Sequence, residues 1–153
     1  MADEKPSTWA WVVVHLGYPL LPVPLEGLIR YVVSGWTFDF DTFNAATLAI
    51  SAGLISVFVN QSLRTQASIL PDPEEDDERS GTCVGFMALG IIFFALFAVV
   101  TLMYALVGRI SPSPDWMKQI LQGFQAVVFV IWIVPIIFAL VAQRAFKLRA
   151  SII

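Results

Sequence analysis

The sequence predicts an all-α membrane protein: four transmembrane helices in two hairpins, the first helix broken by prolines. Three observations predict it. The 153 residues are 58% hydrophobic and only 14% charged, with a mean hydropathy of +0.76. Soluble domains run nearer half apolar and a quarter charged. The apolar residues gather into four segments, about 9–33, 43–62, 83–108 and 118–143. Each is close to or above the ~20 residues a helix needs to cross a ~30 Å hydrocarbon core. The connections at 34–42 and 109–116 are short, whereas 64–82 is long, so the chain reads as one transmembrane domain of two hairpins joined by a linker.

The first segment holds the stretch GYPLLPVPLEGLIRY, Gly17 to Tyr31. Pro19, Pro22 and Pro24 each lack a backbone donor and each crowd the carbonyl four residues back. The carbonyls of His15, Tyr18 and Leu20 therefore lose their helical donors, and in lipid such groups need a protein or water partner. The expectation is a helix from Trp9 to about Tyr18, an extended patch, then a helical piece from Leu25 to Val33. Glu26 and Arg30 stand four apart and can pair along one helix face. His15, with Ser56 and Asn60 of the second segment, is expected near the freed carbonyls. These five residues are the candidate polar path or ion pair.

The second segment starts near Asp41 or Thr42, either of which can cap it. Ala45, Ala49 and Gly53 recur every four residues with Ala52 alongside. Small residues at this spacing let helix backbones approach closely. The face serves packing within the chain, a homo-oligomer interface, or a pore lining with Ser56 and Asn60 exposed to water.

The linker carries LPDPEEDDERSGT. Six of the twelve acids lie between Asp72 and Glu78. Its two prolines predict extended backbone. The run Glu74, Glu75, Asp76, Asp77 and Glu78 suits docking of a basic soluble partner, because clustered like charges steer association. It lacks the glycine and ligand spacing of an EF-hand.

The third segment is rich in phenylalanine, which faces lipid or neighbouring helices, and no axial ligand pair accompanies it. The fourth opens at Ser113-Pro114-Asp115 and is expected to kink at Pro135. Gln119, Gln122 and Gln125 recur near its outer end. Arg144, Lys147 and Arg149 follow it and suit anionic lipid headgroups.

Charge sets the orientation. With both termini cytoplasmic, the inside holds Lys5, Arg64, Arg79, Arg144, Lys147 and Arg149, and the outside holds Arg30, Arg109 and Lys118. The excess of inside cations favours that topology, in the plasma membrane (bacterial or archaeal inner membrane). Trp36 and Trp116 then mark one interface, Trp9 and Trp11 the other. The polar MADEKPST start lacks the basic region of a signal peptide.

One cysteine and one histidine leave no thiol pair and no cysteine- or histidine-rich metal site. No basic patch with interleaved aromatics points to nucleic acid. No nucleophile, P-loop or metalloprotease motif is present, so neither an enzyme nor a cofactor is expected. The expected function is a small non-enzymatic membrane protein that self-associates and docks a soluble cytoplasmic partner through its acidic loop. Such a protein suits a membrane-sensing or membrane-perturbing role in a bacterial defence or immunity system. The rival expectation is an ion- or proton-coupled channel or transporter subunit using the broken first helix. A third is one subunit of a larger membrane complex.

Overall fold

A computed structural model describes residues 8–35, 44–67, 73–110, 112 and 114–148, with backbone alone at 66–67 and 73–76. Trp36, Asp41, Thr42 and Arg149 lie outside the described residues. In order, the elements are α1 (Thr8–Val12), a π-turn (Val13–Gly17), α2 (Tyr18–Leu20), α3 (Pro22–Val33), α4 (Ala45–Ala67), α5 (Pro73–Arg109), α6 (Asp115–Ile131) and α7 (Val134–Ala145). No strand occurs among the described residues. Three helical stretches are long and apolar enough to cross a membrane: 45–65, 77–109 and 115–145. The α1–α3 stretch makes a fourth if its bent halves form one span.

The expected extended patch in the first segment is absent. The chain stays helical through all three prolines and bends by 42° between Thr8–Leu20 and Pro22–Val33. Two local devices explain this. Upstream of Pro19 the helix widens, and the Tyr18 N–H reaches back five residues to the Val13 carbonyl. A π-turn of this kind moves the His15 carbonyl away from the Pro19 ring. Pro22 then sits in the first turn of α3, where a missing N–H costs nothing and its fixed φ suits the helix. The Leu21 N–H serves both the Gly17 carbonyl, at 3.1 Å, and the Tyr18 carbonyl, at 3.2 Å. The group that Pro22 cannot serve is thus satisfied one residue earlier.

The acidic linker also differs from expectation. Helix α4 runs on to Ala67 and α5 begins at Pro73, so the run Glu74–Glu78 lies in the opening turns of a 37-residue helix. Proline at the first helical position and carboxylates at the positive end of the helix dipole both favour this start. Helix α4 opens at Asn44, whose Oδ1 accepts the Ala46 N–H at 2.9 Å. In the fourth segment the α-helix is interrupted just before Pro135, at Trp132–Ile133 between α6 and α7.

Helix α4 is the centre of the bundle. It packs most extensively on α5 and also meets α2, α3, α6 and α7. Ala45, Ala49 and Ala52 are at most 1% exposed, and Gly53 is buried. A Cβ added at Gly90 of α5 would lie 3.6 Å from Ser56 Cβ and 3.8 Å from the Gly53 carbonyl oxygen. The small-residue face is therefore occupied within the chain, by close approach of α4 and α5.

Two apolar clusters mark the two ends. One joins Trp11, Leu63, Cys83, Phe86 and Leu148. The other joins Ala45, Leu48, Phe93, Val100 and Leu121. The beginning of the first span, the end of the last and the α4–α5 corner thus share one end of the bundle.

Candidate functional site

The first segment runs antiparallel to α4 and is pinned to it twice. The Trp11 indole N–H donates to Ser62 Oγ at 2.9 Å. The Thr47 hydroxyl donates to Glu26 Oε2. Trp11 and Glu26 are as far apart in sequence as Thr47 and Ser62, which is the register of two antiparallel helices. That separation is roughly 22 Å of helix rise.

Around the first pin, Trp11 is fully buried. The His15 ring stacks on its indole, with centroids 4.6 Å apart and planes 12° from parallel. His15 Nδ1 lies 3.0 Å from the Trp11 carbonyl, whose lone pair accepts from it. The histidine therefore serves its own helix and orients the tryptophan.

Around the second pin, Glu26 is held from both sides. Arg30 Nη2 lies 2.8 Å from Glu26 Oε1 and Arg30 Nε donates to the same oxygen at 2.9 Å. The pair is partly exposed, at 26% for the Glu26 side chain and 42% for Arg30. The expected ion pair forms, and Thr47 is the partner that sequence reasoning missed. Ser51, one turn along α4 from Thr47, is fully buried and its hydroxyl has no hydrogen-bond partner.

The five residues proposed as one polar path do not gather. His15 belongs to the Trp11–Ser62 pin and Glu26 with Arg30 to the Thr47 pin, separated by that roughly 22 Å of rise. Ser56 is fully buried and donates to the Ala52 carbonyl at 3.0 Å in its own helix. Asn60 is partly buried and its Oδ1 is unpartnered.

At the shared end, Asp77 and Glu78 of the acidic run are exposed. Arg79 is only 5% exposed, and its guanidinium lies 5.6 Å from the centre of the Phe146 ring. A cation over an aromatic face is a favourable arrangement, and it joins α5 to the chain beyond α7. Arg144 and Lys147 are exposed. Beside them α5 and α7 enclose a half-open apolar groove of about 470 Å³. At the other end, Gln125 donates to the Tyr104 hydroxyl and so ties α6 to α5, while Gln119 and Gln122 are exposed. Among the described residues no three His, Cys, Asp or Glu side chains gather as a metal site.

These features define an all-helical bundle whose spans are compatible with a membrane, with the Glu26–Arg30 ion pair toward one end and the Arg79–Phe146 contact toward the other. Comparison with protein-family models, characterised proteins and solved structures finds no match to this chain.

Proposed function

We propose that this chain is a four-crossing membrane adaptor with both termini cytoplasmic, holding out an acidic helix end to a basic soluble partner. The length of α5 carries this reading. Its 37 residues rise roughly 55 Å, against a hydrocarbon core of ~30 Å. Glu74–Glu78 take up roughly 8 Å of the excess, at its free end. A helix continuous with the bundle holds these charges at a fixed height, which steers a partner better than a floppy loop. The small-residue face is used inside the bundle, so docking in this reading needs no second copy of the chain.

Two measurements test it. With Cys83 replaced by Ala, single cysteines at Thr8 and Ser34 report crossing by the first segment. Labelling from opposite sides is expected; labelling of both from one side would make that segment re-entrant and defeat the four-crossing reading. For docking, a basic protein should be recovered with the wild type and lost when Glu74–Glu78 are changed to Gln and Asn. Equal recovery with both would end the adaptor reading.

A channel or transporter is the second reading, favoured by the Glu26 carboxylate that Arg30 and Thr47 hold against α4. Reconstituted flux that falls on Glu26→Gln would support it, and absence of flux would dismiss it.

A further inference from the structure

The groove between α5 and α7 has a definite shape. Phe86 and Ala142, both buried, form its floor. Glu78 and Phe146 line the end toward the start of α5, its mouth, and Leu89 and half-exposed Phe138 line the opposite end, deeper along the helices. Along α5 it extends from Glu78 to Leu89, which is roughly 16 Å of helix. One leaflet of a bilayer has about 15 Å of hydrocarbon, half of the ~30 Å core. The only carboxylate is at the mouth. The Thr82 hydroxyl beside it already donates to the Glu78 carbonyl at 2.9 Å. Charged residues on α5 stop at Arg79 and resume at Arg109, so the mouth lies on the headgroup side of the uncharged stretch.

These properties select the occupant. The floor and deep end offer no partner to a peptide backbone, which at this depth would keep costly unsatisfied polar groups. A hydrocarbon chain makes no such demand. At the mouth, exposed Glu78 favours a cationic group, and exposed Arg144 in the last turn of α7 and Lys147 just beyond it lie near that end for an anionic one. Acid on one side and base on the other complement a dipolar headgroup.

We propose that the groove binds one acyl chain of an ethanolamine phospholipid, with the lipid ammonium against Glu78 and its phosphate toward the end of α7. This assignment rests on the membrane reading of the fold. Gly85 gives the sharpest variant. It lines the groove, and a Cβ added there meets nothing within 4 Å. Gly85→Leu therefore starts from open space at its Cβ and adds bulk to the groove lining, and it removes a glycine from a helix interior.

The test is native mass spectrometry of the full chain in detergent, titrated with phosphatidylethanolamine or phosphatidylglycerol of matched chains. The wild type should retain one ethanolamine lipid, with about fivefold preference over the glycerol lipid. Glu78→Gln should lose most of that preference while still taking up lipid. Gly85→Leu should lose the bound lipid with its thermal midpoint unchanged or raised. Equal uptake of both lipids by the wild type, or full uptake by Gly85→Leu, would overturn the proposal. So would a doubled mass in place of a lipid adduct, which would make the occupant a second copy. So would uptake only after removal of residues 149–153, which would make it the chain's own tail. Carbonate extraction of native membranes separates the two levels. Release of the protein would defeat the membrane reading, whereas retention without a lipid adduct would defeat the groove assignment alone.

Discussion

Replacing Ser62 by Ala should destabilise the bundle by about 1.5 kcal/mol, and the reason lies in what Trp11 can then do. The indole N–H loses its acceptor while the ring stays fully buried. In water-soluble proteins an orphaned buried donor costs about 1–3 kcal/mol. Between membrane helices a side-chain hydrogen bond averages only about 0.6 and reaches about 1.7, because alternative partners are often at hand. Here the stack of His15 on the indole holds the ring in place, so rotation toward another acceptor would break a second contact. The cost therefore belongs near the top of the membrane range. In a Trp11→Phe background the same change should cost almost nothing, since no donor remains to orphan and the Ser62 hydroxyl can bond a carbonyl of its own helix. Trp11→Phe alone is still destabilising through the volume it removes. SDS titration in mixed micelles, followed by far-UV circular dichroism, gives the four free energies of the cycle. The predicted coupling is about 1–1.5 kcal/mol. Equal costs of Ser62→Ala in both backgrounds would show that the bond does not pin α1 to α4.

The Glu26 cluster should be energetically mild: Glu26→Gln keeps an acceptor for Thr47 and loses only a partly exposed ion pair, so the same titration should show a loss below about 1 kcal/mol. A loss above about 3 kcal/mol would mean the carboxylate is far more deeply desolvated than its 26% exposure implies. Gly90→Ala should be neutral or stabilising by up to about 1 kcal/mol, because the new methyl meets its neighbours at 3.6 Å and beyond. Gly90→Leu should instead separate α4 from α5 and cost about 1–3 kcal/mol; equal stability of the two variants would contradict the close approach. Gly53→Ala meets the Phe94 ring at 3.3 Å, and that ring is 36% exposed and can yield, so its melting point should fall only slightly.

Much of this architecture is written in local pattern. Hydropathy runs give the spans, Pro135 foretells the break before it, and Glu26 with Arg30 is readable because partners four apart share a helix face. The small residues Ala45, Ala49 and Gly53 announce a close helix contact, though not which helix makes it. Proline counting misled. Three prolines suggest a broken backbone, yet a π-turn before Pro19 and first-turn placement of Pro22 keep the segment helical. The acidic run misled in the same way: its two prolines suggest an extended linker, while the helix dipole and Pro73 at the first helical position favour a helix start. The two pins were out of reach because they join residues 51 and 21 positions apart. One signal for them does exist. Thr47, Ser51 and Ser62 fall on one face of α4, a polar stripe distinct from the small-residue face.

The distribution of apolarity is of the kind compatible with a membrane. Helix α4 is the least apolar of the three continuous spans and the most enclosed, with 56% of its apolar window buried against 28% and 17% for the other two. A soluble bundle shows the reverse order, because burying the most apolar helix is what stabilises it in water. Here the centre holds alanine, glycine and the hydroxyls of Ser51, Ser56 and Ser62, while Val130, Ile91, Ile29 and Leu28 are each more than half exposed. Hydrophobic burial contributes through Leu48, Ile55, Val59 and Leu63 of α4, yet the most apolar surfaces of the other helices face outward. Close backbone approach at Gly53 and Gly90 and a few interhelical hydrogen bonds add to that burial, and such contacts are the ones that hold helices together in lipid. The inversion supports a membrane setting independently of span length. It also explains why the bonds at Ser62 and Thr47 matter: with a smaller area term between helices, each specific contact is a larger share of what fixes the register.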